Sequence, residues 1–373
     1  MQKKYTSLGL MSGTSGDGVD ASIINSNGID QFEIIKNEYF EYDSDIYDNF
    51  HSLKEKIFTI EDLKRFSEDL LNLERKITFF HAKIVKKINL DNYNDALVGF
   101  HGQTIYHNAK EKISKQLGDG RLLNQLTKRK IVFNFRKNDI LNGGEGAPLT
   151  PIFHQLIATQ KKIELPTCIL NIGGISNLTI IKKPIGSMEI FSRDIGPGNC
   201  LIDSWVRKNS NKKFDHNGQY ALNGKKNEII FEQAQELYSN RIEKKKISLD
   251  TGDFDVSFAR GMSLEDGAAT LTDFTASLIS EGILSLLSKH QAIKNIILSG
   301  GGRKNEYLIK KIKENVPTNL SFKLIDKYEI NGDFVESQAF AFLAIRTYKK
   351  LPITFPNTTN CNKACVGGEI VDN

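Results

Sequence analysis

Leu8-Gly9-Leu10-Met11-Ser12-Gly13-Thr14-Ser15-Gly16-Asp17-Gly18-Val19-Asp20 runs from an apolar strand into a turn of Gly, Ser, Thr and Asp. The chain then leaves as a second strand, Val19-Asp20-Ala21-Ser22-Ile23-Ile24. A turn without bulky side chains opens its backbone N–H groups and small hydroxyls to close approach, which is what a phosphate requires. The neighbouring carboxylates of Asp17 and Asp20 suit a metal ion or a substrate hydroxyl. An ordinary Gly-rich hairpin has the same composition, so the weight falls on whether matching segments recur.

They do. Thr167 to Ile181 is again strand, Gly turn and strand, turning at Gly173-Gly174, and the strand Asn295–Ser299 ends in Gly300-Gly301-Gly302. No G-x-x-x-x-G-K-[ST] and no strand-anchored G-x-G-x-x-G occurs, so phosphate binding here rests on facing hairpins. Two Gly-turned hairpins, each opening one half of the chain, imply two related α/β domains. The expected boundary lies at the character change around Ile131 to Leu149, giving residues 1–135 and 136–345, with 346–373 packing back on the first.

At 373 residues with 39% hydrophobic and 25% charged positions, the chain has the composition of a globular protein of about two domains. No window holds the ~20 apolar residues that span a bilayer, and Met1 to Thr6 lacks a signal-peptide h-region, so a cytoplasmic location is expected. The net charge of +5 comes from scattered Lys. The densest run, Lys244-Lys245-Lys246, has no interleaved aromatics and reads as a solvated helix end or loop rather than a nucleic-acid surface. Cys168, Cys200, Cys361 and Cys365 read as reduced thiols. The C-x3-C pair of the last two lacks the second ligand pair usual for zinc.

Strands are expected at Phe32–Ile35, Glu38–Tyr42, Ala96–Phe100 and Ile131–Arg136, the last opening into a loop from Lys137 to Leu149. Helical stripes run from about Ile60 to Lys87 and through Leu271, Phe274, Leu278 and Ile283. Four places carry chemistry. Asp194, before Gly196-Pro197-Gly198, is placed either as a general base or as the cap of the helix that follows. His101-Gly102-Gln103-Thr104 ends a buried strand where ligands of α/β sheets collect. Arg136 and Asp139 pair with each other or orient a substrate carboxylate and hydroxyl. Glu336 opens an apolar helix, serving its dipole or facing a ligand.

Together these segments resemble the anhydro-N-acetylmuramic acid kinase family. The resemblance rests on Ser12 to Asp20, Phe100 to Thr104, Phe135 to Leu149, Asn171 to Asn177, Asp194 to Asn199, Glu265 to Thr272, Ser299 to Gly302 and Glu336 to Ala341, in order along nearly the whole chain. It implies two duplicated actin-like (ribonuclease H-like) α/β domains around a nucleotide cleft, with ATP and Mg2+. It also implies a double reaction in peptidoglycan recycling, in which water opens the 1,6-anhydro bridge at C1 while O6 takes the γ-phosphoryl group. Asp194 then activates the water. Gly13, Thr14, Ser15, Gly16, Asp17, Gly18, Val19, Asp20, Gly173 and Gly174 hold phosphates, and Gly300, Gly301 and Gly302 the adenosine. Thr104, Arg136, Asp139 and Glu336 contact the sugar, and the family suggests a homodimer. Two departures stand out: Glu145 where Gln is expected, and Met11 where superfamily relatives carry a magnesium-binding Asp, which leaves the metal to Asp17, Asp20 or Asp194 through water. The rivals are a same-fold kinase of another sugar and an actin- or Hsp70-like ATPase.

Overall fold

The computed structural model describes residues 3–93, 95–185, 189–239 and 248–372; the Lys244–Lys246 run lies outside them. The strands are β1 (Tyr5–Ser12), β2 (Gly18–Ser26), β3 (Phe32–Glu41), β4 (Leu97–Asn108), β5 (Ile113–Leu117), β6 (Lys130–Phe133), β7 (Thr167–Ile172), β8 (Ile175–Ile181), β9 (Ile190–Pro197), β10 (Asn295–Ser299), β11 (Ser321–Leu324) and β12 (Glu369–Val371). Two compact units divide the chain: residues 1–163 with 183–191 and 333–373, and residues 164–182 with 192–332.

The first unit is built on a sheet of order β12-β6-β4-β1-β2-β3, with β5 paired to β4; the second sheet has order β11-β10-β7-β8-β9. The inner order is the same in both. An antiparallel hairpin (β1/β2, β7/β8) is extended on one side by its third strand and on the other by parallel strands (β4 and β6, β10 and β11). This repeated layout is the duplicated ribonuclease H-like α/β architecture, and Leu8–Ile24 and Thr167–Ile181 occupy equivalent hairpins. Parallel neighbours need crossover helices, so the central strands are covered: every residue of β7 is buried.

Packing depends on two glycines. The helix Val335–Tyr348, buried along almost its whole length, lies on β1, β2 and β4. A Cβ at Gly9 would overlap the Ser337 carbonyl, and one at Gly99 would lie 3.0 Å from the Phe340 carbonyl carbon. Bare backbone at both positions lets the helix sit directly on the sheet, and the Ser22 and Ser337 hydroxyls close the contact at 2.7 Å.

Four elements differ from expectation. β4 does not end before His101–Thr104 but runs through them to Asn108, because past Gln103 its pairing passes from β1 to β5. The segments around Phe32 and Tyr39 form one strand, because a register shift between Ile23 and Ile24 absorbs the break in pattern. The stripe from Ile60 splits into helices Ile60–Arg65 and Ser67–Ile88, the first closed by a capping box between Thr59 and Asp62. After β6 the chain turns at Asn134 (φ 55°) and forms a short helix, Lys137–Leu141, before the Gly loop. No described helix is long and apolar enough to cross a membrane.

Candidate functional site

In the first unit the Ser12–Asp20 turn is held from behind. Ser12 is buried, and its hydroxyl lies 2.8 Å from the Tyr42 hydroxyl and 3.5 Å from His81 Nε2. His81 Nδ1 donates to the Ile77 carbonyl, so Nε2 is the acceptor and the relay runs from Tyr42 through Ser12 to His81. Burial brings the His81 pKa down to about 4, which keeps the ring neutral. Gly16 takes φ 66° and donates its N–H to Gly13 O, tightening the turn; a Cβ there would run into Phe50. A Cβ at Gly13 would meet nothing nearer than the Ser15 hydroxyl, at 3.9 Å, so the Cα side of the turn is open to close approach. Asp17 and Asp20 are half-buried; burial and then the fields of Asp17, Glu41 and Asp20 push the Tyr39 hydroxyl pKa upward.

The middle of β4, where its pairing with β1 ends at Gln103, faces the same turn. Gln103 Nε2 donates to Gly13 O at 2.7 Å, and Gln103 Oε1 is buried without a hydrogen-bond partner. Within the His101–Thr104 motif nothing local distinguishes Gln103; its full burial between two glycine-bearing segments is what marks it. Thr104 is buried and accepts from Gln116 Nε2 at 3.2 Å. His101 Nδ1 donates to Gly102 O, so its Nε2 accepts from Arg136 Nη2 at 2.9 Å. Burial, reinforced by the guanidinium, drives the His101 pKa well below its usual value.

Arg136 also donates from Nη1 to Gly146 O at 2.7 Å. Asp139 is fully buried, and its carboxylate accepts from Gly146 N at 2.8 Å and from the Thr359 hydroxyl at 2.7 Å. Arg136 and Asp139 therefore meet at Gly146, and Asp139 braces the loop from its buried side. Glu145 is half-buried and accepts from Asn360 Nδ2 at 2.7 Å. Glu336 stands in the first turn of the helix Val335–Tyr348, half-buried beyond the Gly9 contact.

In the second unit three segments converge. Gly198 N donates to Gly174 O (2.9 Å), Asn199 N to Gly173 O (2.7 Å) and Cys200 N to Gly174 O (3.2 Å). A Cβ at Gly198 would overlap the Gly173 carbonyl, so the close approach requires glycine. Asp194, buried on β9, accepts from Leu249 N at 2.8 Å through Oδ2, a contact across 55 positions that local pattern could not reveal. The helix Cys200–Asn209 has Asn199 at its N-cap. Gly300 takes φ 79°, and a Cβ there would lie 2.6 Å from Asn171 Oδ1 and from Ile172 O; a Cβ at Gly302 would be 3.0 Å from Asn199 Oδ1. The Gly300 turn is pinned by Arg303, whose Nη1 donates to Gly300 O at 3.0 Å while Nε and Nη2 grip Asp326 at 2.8 and 2.9 Å. That guanidinium holds the Asp326 carboxyl below the usual carboxylate range.

The unit thus gathers Gly173-Gly174, Asp194's strand end and Gly300–Gly302 at the carboxyl ends of β7 and β10. The first unit gathers the Ser12–Asp20 turn at the end of β1, Thr104 midway along β4 and Arg136 just beyond β6. Small, bare turns at strand ends with one buried, oriented carboxylate are what phosphoryl transfer needs: positioning and charge stabilisation.

The profile of the anhydro-N-acetylmuramic acid kinase family matches residues 5–373. A relative of that name from Pelagibacter ubique (strain HTCC1062) is 53% identical over 375 residues, covering 100% of both chains. One from Agrobacterium fabrum (strain C58 / ATCC 33970) is 34% identical over 381 residues, again with 100% of both chains covered. One from Zymomonas mobilis subsp. mobilis is 34% identical over 371 residues, covering 97% of this chain and 98% of the relative.

Proposed function

The chain belongs to the anhydro-N-acetylmuramic acid kinase family, and from that premise we propose that it couples hydrolytic opening of 1,6-anhydro-N-acetylmuramic acid to phosphorylation at O6 by ATP. The products are N-acetylmuramic acid 6-phosphate and ADP, and the role is recycling of peptidoglycan fragments in the cytoplasm. The observation that carries this reading is the anchoring of Asp194: the Leu249 N–H fixes one carboxylate oxygen, and the strand end that bears it is tied to the Gly173-Gly174 turn.

Asp194 takes a proton from water, whose oxygen bonds to C1. The C1–O6 bond breaks and its electron pair stays on O6, which attacks the γ-phosphorus as the bond to the β-phosphate oxygen breaks. Gly13 to Asp20 and Gly173-Gly174 receive the phosphates on backbone N–H groups, and Gly300 to Gly302 offer the adenosine a flat surface. Thr104, Arg136 and Glu336 bind the sugar. Neutral His101 accepts from Arg136 without competing for its charge, and Asp139 positions the Gly143–Gly146 loop.

Mg2+ prefers oxygen donors and keeps several waters when one or two carboxylates hold it. The half-buried Asp17 and Asp20 beside an open turn fit that demand and would hold it through water, where it would offset phosphate charge.

The test is turnover of the anhydro sugar with ATP and Mg2+ in oxygen-18 water. Label at C1 of a 6-phosphorylated product is expected. Phosphorylated product without label would overturn the hydrolytic step and favour a simple hydroxyl acceptor; no product would overturn the substrate.

A further inference from the structure

The C-x3-C pair near the C-terminus has a third partner that its sequence neighbourhood does not show. Cys361 and Cys365 are 2% and 3% exposed, Asp139 is fully buried, and one ligand atom from each lies within 4.8 Å of the others. Thr354 closes the group. Its backbone brackets Cys365 through Cys365 N to Thr354 O (3.0 Å) and Thr354 N to Cys365 O (3.3 Å). Its buried hydroxyl lies beside both thiols, within hydrogen-bond reach of each, and the Cys365 thiol also donates to the Lys363 carbonyl at 3.0 Å.

We propose that Asp139, Cys361 and Cys365 form a structural site for a thiophilic divalent cation of the zinc class, with the Thr354 hydroxyl or a water as fourth ligand. Two sulfurs and one carboxylate whose ligand atoms lie within 4.8 Å of one another are a donor set that zinc takes readily, and magnesium or calcium does not. A carboxylate offers about four acceptor positions; at Asp139 hydrogen bonds from Gly146 N and Thr359 Oγ1 use two. Its remaining lone pairs share a buried space with two sulfurs and the Thr354 hydroxyl, where a cation compensates the cost of burying the charge. On binding, the two S–H bonds give up their protons to solvent and two sulfur–metal bonds form, with no change of oxidation state.

The consequence is local to the loop that carries Arg136's acceptor. Asp139 holds Gly146 N, Gly146 O holds Arg136, and Arg136 holds His101. Glu145 N and Asn362 N donate to Thr359 O and Asn142 O, stitching the same loop to the cysteine segment. An ion at the cluster staples residues 354–365 to residues 139–146, as structural zinc does in small modules. The proposal does not depend on the kinase reading.

The test uses the full chain, purified under reducing conditions and titrated with Co2+ and then Zn2+. Expected are one equivalent of cobalt with a thiolate-to-cobalt charge-transfer band and tetrahedral d–d bands, and displacement of the cobalt by zinc. Cys361→Ser and Cys365→Ser should each weaken uptake by at least roughly tenfold, whereas Cys168→Ser, in the other unit, should not. Uptake without a charge-transfer band, or equal uptake by the serine variants, would overturn the site. So would a reduced protein that takes up no metal, including one that on exposure to air loses two hydrogens by mass as the pair forms a disulfide. The wild-type spectrum decides the matter even if a variant fails to fold.

Discussion

Gly198→Ala and Gly173→Ala separate close backbone packing from ligand approach within one small region. A Cβ at position 198 would overlap the Gly173 carbonyl and stand 3.2 Å from Gly174 O, so one of the two segments must retreat. Three backbone hydrogen bonds span the contact at 2.7, 2.9 and 3.2 Å, and a retreat of about an ångström breaks them. At roughly 1 kcal/mol net for each bond, the loss is about 3 kcal/mol. For a unit of this size that is a fall in Tm of roughly 6–12 °C. Asp194 sits four residues earlier on the same strand end, and a misplacement of that size costs about 100-fold in turnover. At Gly173 the added Cβ would find its nearest neighbours at 3.6 and 3.9 Å, ordinary contact distances. Gly173→Ala should therefore keep the wild-type Tm and instead raise KM for ATP, because the methyl occupies the approach assigned to phosphate. Thermal unfolding followed by circular dichroism and steady-state kinetics with varied ATP test both. A Gly198→Ala protein with wild-type Tm would refute the packing argument, and a Gly173→Ala protein with unchanged ATP kinetics would refute the phosphate assignment.

Other outcomes follow from the same geometry. Asp194→Asn keeps an acceptor for Leu249 N but removes the proposed base, so kcat should fall by about 10²–10⁴-fold with ATP affinity, measured by calorimetry, unchanged; lost affinity would mark Asp194 as structural. His81, His154 and His101 are buried with depressed pKa values, about 4, about 3 and well below normal. The unfolded chain takes up their protons below about pH 6.5 while the folded chain does not. Stability should thus fall with pH through the window from 6.5 to 4, by at most about 1.4 kcal/mol per pH unit for each histidine; a flat Tm between pH 7 and 5 would contradict this. Arg303→Lys loses the two-point grip on Asp326, and about 1.5–3 kcal/mol of stability is expected to go with it, read by urea unfolding, together with weaker nucleotide binding at the Gly300 turn. Glu145→Gln keeps an acceptor for Asn360 and should change stability by less than about 0.5 kcal/mol; removing its charge should lower KM for anionic substrates by up to about threefold at low salt.

Much of this was legible in the chain itself. Alternating and apolar runs interrupted by Gly, Ser, Thr and Asp are local signals, because side-chain period and turn chemistry act over a few residues. They place the hairpins at Gly13–Gly18 and Gly173-Gly174, the third turn at Gly300, and Asp194 near a strand end. Their recurrence announces the duplication that the two sheets display. The short helix at Lys137–Leu141 and the break at Phe66 escape the pattern, since each spans about one turn, too short to leave a periodic signal. What the fold alone decided are contacts between segments far apart in the chain. The sequence shows that Gly198 lacks a side chain, and only packing shows that the Gly173 carbonyl occupies the space. Asp194 needed Leu249, and Gln103 needed Gly13. The cysteine pair, read by itself, lacked the ligands of a metal site, until folding set Asp139 beside Cys361 and Cys365 from more than two hundred residues away. Local propensity determines which elements form; which backbone and side-chain atoms meet is settled by burial of the elements against one another, and that information is carried by no single stretch of the chain.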